Sequence, residues 1–263
     1  MSAVFGNLAR PPEPRIKLKA ETSLPLPDTS LMMRCSACLH KDTCFPCGIA
    51  VNDARQLDAF RFGQRKVKTG QTLYHEGDYF QFLYMVRSGT FKSRLLLADG
   101  REQVNGFCMA GDILGLDGVA YGTHASSAIA LEDAEVCVIS YSHLTELAAG
   151  NAGLLQVLAR MMSREILREH RLITLLGSMN AEERLTAFLL NLSHRLKTRG
   201  YSAVEFHLRM SRAEIGSYLG MTLETVSRTF SAFQQLHLLE VDKRHIRLLD
   251  IDGLKRALKT SLH

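Results

Sequence analysis

The stretch MSRAEIGSYLGMTLETVSR, residues 210–228, decides how this chain is read. Ser211 and Glu214 stand at the N-cap and N3 positions of a capping box, and Ile215, Tyr218 and Leu219 follow as an apolar face, so a helix starts here. Gly220 ends it, and Thr222 can cap a second helix running to about Gln235. Two short helices joined by a glycine-containing turn form a helix-turn-helix. The second helix is expected to bury Val226, Phe230, Phe233 and Leu236, which turns Glu224, Ser227, Arg228 and Ser231 to the opposite side. The first turns of a recognition helix meet base edges in the major groove. Arg228 can donate two hydrogen bonds to guanine, Glu224 can accept from a base amine, and Ser227 can bond either kind of group. Thr225 and Ser211 complete the candidate DNA-binding set on the two helices. The bland alternative is a solvated polar face held by local charge pairs. Residues 238–241 and 245–249, with Asp242-Lys243-Arg244 between them, read as a β-hairpin wing whose Lys243 and Arg244 reach phosphate.

Upstream, no glycine or proline lies between Gly153 and Gly177, and Ala159, Met162, Ile166, Glu169 and Ile173 are spaced 3, 4, 3 and 4 residues apart. That is a heptad seam, expected to pair with its copy in a homodimer. The alternative is a helix packed only on its own domain. In the paired seam Glu169 would approach its twin, and like carboxylates on a partly dry seam repel; an edge glutamate that swings to solvent or pairs with Arg168 or Arg171 is the alternative for that position. Further upstream, glycines recur from about Gly63 to Gly122 between short β-rich runs at 71–74, 82–86 and 90–97, with Asp99-Gly100 as a hairpin signal. Short strands with frequent turns imply an antiparallel barrel or double-sheet roll.

The 263 residues suffice for two domains. Residues 160–263 carry 17 basic and 11 acidic side chains, so the positive excess lies where the helix-turn-helix does. No apolar run approaches the roughly 18 residues of a membrane span, and the N-terminus lacks a signal-peptide pattern, so a cytoplasmic location without membrane contact is expected. Five of six prolines fall between Pro11 and Pro27, which marks residues 1–34 as a disordered tail. The remaining divisions are 35–152 for a cysteine loop and sensory β-roll, 153–178 for the dimerisation helix, and 179–263 for the DNA-binding domain. The overall class is α+β.

Six cysteines in a reducing compartment suggest ligation rather than disulfides. Cys35, Cys38, Cys44 and Cys47 form two Cys-x-x-Cys pairs, and local spacing alone fits tetrahedral zinc. Cys108, between Phe107 and Met109, reads as a small buried hydrophobe. Periodicity alone would make Cys137 core as well. An enzymatic reading, iron–sulfur or thiol-based, is weak: the chain has no nucleophile with a partnered base, no phosphate-cradling glycine loop and no HExxH pattern.

Asn180-Ala-Glu-Glu-Arg-Leu-Thr-Ala-Phe-Leu-Leu-Asn-Leu-Ser193, the turn at 211–220 and Glu224-Thr-Val-Ser-Arg228 together resemble the cyclic-AMP-receptor family of regulators, and in particular its oxygen-sensing fumarate-and-nitrate-reduction branch. The resemblance covers about residues 35–250. It implies an N-terminal β-roll, a long dimerisation helix, a winged helix-turn-helix, and RNA polymerase as a further partner. It also implies that Cys35, Cys38, Cys44 and Cys137 ligate one [4Fe–4S] cluster per subunit, with Cys47 as a substitute ligand, and that oxygen converts the cluster to a [2Fe–2S] form and weakens the dimer. The half-site of the branch is TTGAT, in inverted repeats. Nucleotide-binding members carry an arginine in the stretch matching residues 111–127. His124 stands there instead, and no arginine lies between Arg101 and Arg160, so cyclic nucleotide is not expected as a ligand. The alternative within regulation is a dimeric relative that uses zinc or another cofactor to sense a different signal.

Overall fold

Alternation of large apolar residues with period two builds the N-terminal half into a roll. The computed structural model describes residues 62–259, so the 1–34 tail and Cys35, Cys38, Cys44 and Cys47 lie outside the described residues. Eight strands, β1 (Gly63–Val67), β2 (Thr72–Tyr74), β3 (Phe82–Ser88), β4 (Thr90–Leu96), β5 (Glu102–Met109), β6 (Ile113–Leu114), β7 (Ser127–Ala130) and β8 (Ala134–Ser140), form two four-stranded sheets in the orders β1-β8-β3-β6 and β2-β7-β4-β5. On β3 and β8, Tyr84, Val86, Val136 and Val138 point into the roll, while Leu83, Met85, Cys137 and Ile139 belong to a second apolar cluster on the outer face. The expected hairpin at Asp99-Gly100 joins β4 to β5, with Gly100 at φ 82°. The β3–β4 turn depends on Gly89, at φ 83°, where a Cβ would sit 2.6 Å from that of Ala134.

Helix α1 (Tyr141–Ala149) and the 27-residue α2 (Ala152–Ser178) follow. The Asn151 side chain caps α2 by accepting from the Leu154 amide. Leu154, Val157 and Leu158 at the start of α2 pack on the outer face of the roll with Phe62, Met85 and Ile139. The rest of the helix is two-sided: Leu155, Ile166 and Ile173 are 59%, 55% and 65% exposed, an apolar stripe that the other described residues do not cover. No helix among the described residues is long and apolar enough to cross a membrane.

The C-terminal unit comprises α3 (Ala181–Lys197), β9 (Glu205–His207), α4 (Arg212–Leu219), α5 (Leu223–Gln235), β10 (Leu239–Asp242), β11 (His245–Leu248) and α6 (Ile251–Lys259), with a three-stranded sheet in the order β10-β11-β9. Asn180 and Glu183 close a capping box on α3. Val226, Phe230 and Phe233 are buried as expected. Leu236 is not: it is 66% exposed, because α5 ends at Gln235 and the cap residue leaves helical geometry, so Leu238 packs inward instead. The core of this unit does not stop at the domain boundary. Val104, Phe107 and Met109 of β5 belong to it, and the Phe107, Phe188 and Tyr218 rings stack edge-on with centroids 5.2–6.1 Å apart.

Candidate DNA-reading face and its coupling to the roll

The helix-turn-helix is built by the residues the sequence marks and by one it does not. Ser211 Oγ accepts from the Glu214 amide at 3.2 Å and Glu214 Oε2 accepts from the Ser211 amide at 2.7 Å, closing the expected box on α4. Gly220, at φ 62°, ends α4 in the left-handed region. Gly216 is the unanticipated element: a Cβ there would meet the Met221 carbonyl at 2.6 Å, so only glycine lets the turn pack this closely. Thr222 caps α5, and its hydroxyl contacts that of half-buried Thr225 at 2.8 Å. Glu224 and Arg228 are exposed on the first turns of α5 and pair at 2.5 Å; Ser227 lies half-buried beside them. An exposed pair of this spacing contributes about 0.3–0.5 kcal/mol, less than the roughly 1–3 kcal/mol of a bidentate base contact. The local pair therefore yields to DNA at small cost.

The hairpin wing forms with Lys243 and Arg244 exposed at its tip, Lys243 at φ 55°. Arg212 spans helix and wing. Its guanidinium stacks 3.7 Å over Phe230 and donates to the Lys243 carbonyl at 3.4 Å, which holds the wing beside α5.

Several polar links register this reading head against the roll, Gln103 donating to the Ser217 carbonyl among them, and residue spacing announces none of them. Lys92 on β4 pairs with Glu214 at 2.6 Å; the Val104 amide donates to Ser217 Oγ at 2.8 Å; Arg209 pairs with Glu132 at 3.1 Å. One tie is larger. Asp112, in the turn between β5 and β6, has a side chain only 9% exposed and receives Arg168 of α2 at 3.3 Å, Arg199 beyond α3 at 3.0 Å, and Arg195 of α3 in direct contact. Burial alone would raise its carboxyl, but Arg195, Arg168 and Arg199 hold it below the usual carboxylate range. One carboxylate thus joins the roll, the long helix and the DNA-binding unit. Arg184 makes the other junction, donating to the carbonyls of Leu176 at 2.7 Å, Met179 at 2.8 Å and Leu219 at 3.1 Å, where α2, α3 and α4 meet.

Along the seam, Ala159, Ile166, Glu169 and Ile173 are exposed and Met162 is half-buried. Partial desolvation and the neighbouring Glu165 raise the Glu169 carboxyl above its usual range.

Inside the roll, His124 is buried, stacked on Tyr74 with ring centroids 3.8 Å apart. Asp117 accepts from the amides of Ala125 and Ser126 at 2.9 Å each and lies 3.4 Å from His124 Nδ1. Cys108 is buried there too, and desolvation pushes its thiol up to about 12. Cys137 sits on the other side of the sheet, half-buried, opposite Gln64 of β1 and Met85 of β3. Among the described residues no group of three or more His, Cys, Asp or Glu could hold a metal ion. Of the six cysteines, the described residues include Cys108 and Cys137 alone.

Residues 64–151 match the model of the cyclic nucleotide-binding domain, and residues 183–257 match that of the Crp-like helix-turn-helix domain. The transcriptional regulatory protein btr of Bordetella pertussis is 45% identical over 224 residues, 85% of this chain and 93% of that protein. The fumarate and nitrate reduction regulatory protein of Escherichia coli K12 is 40% identical over 222 residues, 84% of this chain and 89% of that one. The structure of FixK2 from Bradyrhizobium japonicum superposes with a TM-score of 0.69 at 32% identity, covering 74% of this chain and 96% of FixK2. The Bordetella and Escherichia relatives are regulatory proteins by name, and with both domain models matched in turn along the roll and the helix-turn-helix, the chain belongs to the CRP/FNR family of DNA-binding transcription regulators.

Proposed function

We propose that the chain is a cytoplasmic, oxygen-responsive regulator in which Cys35, Cys38, Cys44 and Cys137 hold one [4Fe–4S] cluster per subunit. The position of Cys137 carries this reading. Its thiol lies on the outer face of the roll, not in the sealed interior that holds Cys108, and it packs in the same apolar cluster as Leu154, Val157, Leu158 and Met161 of α2. β1 begins at Gly63 and pairs Gln64 with Cys137, so the chain that follows the N-terminal cysteines enters the described fold beside that thiol. The stretch from Cys44 to Phe62 spans 18 residues, enough chain to reach at about 3.3 Å per residue. A donor set of four thiolates fits a cubane cluster, which supplies an oxygen-labile link between the N-terminal segment and the roll.

The protein's own residues then carry the response. Cys137 and the start of α2 share one packed layer, so ordering of the N-terminal segment against that layer fixes the angle of α2 on the roll. Two copies of α2 pair through Ala159, Met162, Ile166, Glu169 and Ile173, against the repulsion of the two Glu169 carboxylates. The paired subunits set two α5 helices about 34 Å apart, one turn of DNA. Glu224, Thr225, Ser227 and Arg228 read TTGAT-type inverted repeats, while Ser211, Lys243 and Arg244 hold the flanking phosphates. RNA polymerase is the further partner at the promoter. Cyclic nucleotide is not a ligand in this reading, because Asp117 places the chain's own negative charge on the loop amides that an anionic ligand would need.

The test is iron and acid-labile sulfide per chain in protein prepared without air, with Cys137→Ala alongside. About four of each in the parent, and loss in the variant, support the reading. Stoichiometric zinc in both proteins overturns it.

A further inference from the structure

A cleft of about 690 Å³ opens between α2 and α3 beside the Asp112 junction. Its size falls in the range of small-molecule sites, roughly 300–1,000 Å³. Its apolar lining includes Leu167, Leu175, Met179 and Phe188. Five arginines line it as well: Arg164, Arg168 and Arg171 from α2, and Arg195 and Arg199 from the α3 side. Asp112 is the one carboxylate in this lining. Arg168, Arg195 and Arg199 all converge on it, and Arg168 is additionally paired with Glu165 at 3.2 Å. Arg164 and Arg171 line the same cleft with no ion-pair partner among the described residues. The site therefore holds more positive charge than its own acids neutralise. Desolvation, with Arg195 and Arg168, shifts the Arg199 guanidinium down, whereas Asp112 and Glu165 outweigh desolvation at Arg168 and shift it up, so the acids here serve Arg168 more than Arg199.

The cleft also survives the dimer. At 100° per residue, Arg164 and Arg171 stand on the side of α2 nearly opposite Ala159, Met162, Ile166 and Ile173. A second α2 laid on the seam leaves them uncovered.

We infer that the α2–α3 cleft is a binding site for a phosphate-bearing small molecule, with Arg164 and Arg171 supplying the guanidiniums that Asp112 leaves unpaired and the apolar side chains between them receiving the body of the ligand. Guanidinium is suited to this chemistry because its planar fork matches phosphate oxygens two at a time. A ligand seated there touches the dimerisation helix and the DNA-binding unit at once. It would tie the two together through its own charge, independently of any cluster at Cys137.

Isothermal titration of the full chain at about 100 mM salt, a Debye length of about 10 Å, tests the site with two probes, inorganic pyrophosphate and ATP. Saturable binding of either at one per chain, weakened at least about tenfold in the Arg164→Ala/Arg171→Ala double variant and unchanged in Arg228→Ala, is the expected result. The two arms separate sources: equal affinity assigns the site to free phosphates, and tighter ATP binding assigns it to nucleotides. No saturable heat from either probe, equal binding in the double variant, or loss in Arg228→Ala, which would move the ligand to the DNA-reading face, overturns the proposal. The double variant keeps Asp112 and its three arginine partners, so a failure to fold is not expected and is checked by its melting temperature.

Discussion

The two outer faces of the roll are built differently. The β1-β8-β3-β6 face is apolar: Leu83, Met85 and Ile139 meet α1 and the start of α2, with the Cys137 thiol half-buried among them. The side that meets the DNA-binding unit mixes a shared core, through Phe107 and Met109, with charge-assisted ties at Lys92, Asp112 and Glu132. Apolar packing tolerates small slides, whereas a buried carboxylate with three guanidiniums has one good arrangement. The first face suits an input that shifts a helix, and the second suits an output that keeps register. The helix α2 touches both, at Leu154 near one end and Arg168 toward the other.

The largest effect that would break this contrast is on the input side. Cys137→Ala is expected to lose iron and operator binding while keeping the parent's melting behaviour in cluster-free protein, read by gel shift and calorimetry. If operator binding persists, that face is not the input. On the output side, Asp112→Ala leaves three guanidiniums partly buried without their shared partner. Removing one member of a buried charge network costs about 3–5 kcal/mol, so the single thermal transition should fall and split into separate roll and DNA-unit steps. A single transition near the parent's would mean that the shared core alone sets register. Arg228→Ala should leave folding unchanged and weaken operator binding by about 1–3 kcal/mol, with discrimination relaxed at one base position.

The smallest effect concerns the seam. The Glu169 carboxyl is already raised by desolvation and Glu165, and on the proposed seam the Glu169 of a second copy would push it the same way. Pairing then takes up protons, so the dimer of air-treated protein should strengthen as pH falls from neutrality toward the carboxylate range. Glu169→Gln should flatten that slope and raise the neutral-pH dimer constant two- to threefold, about 0.5 kcal/mol, by sedimentation equilibrium. An unchanged slope would assign the pH response to another group.

The legible parts of the sequence were those whose signal is local. The capping box at Ser211 and Glu214, the wing around Lys243 and the unbroken run that becomes α2 all rest on spacings of a few residues, and each formed as expected. Leu236 misled because the helical spacing was carried one residue past the end expected at about Gln235, to a cap residue whose backbone leaves helical geometry. Gly216 has no signature beyond being a glycine in a helix; its reason is a carbonyl five residues on, across the turn. The Asp112 junction was illegible for a deeper reason: its partners lie 56, 83 and 87 residues away, so only the folded chain brings them together. The exterior position of Cys137 follows from strand alternation, but alternation alone does not distinguish a thiol bound for a ligand from one packed against a helix.

Operator affinity of one preparation, measured without air on a TTGAT inverted repeat and again after aeration, addresses the link between the Cys137 face and DNA most directly. The account predicts a fall of at least about tenfold, some 1.4 kcal/mol, alongside a shift from dimer to monomer. Undiminished affinity after complete loss of the cluster would contradict it.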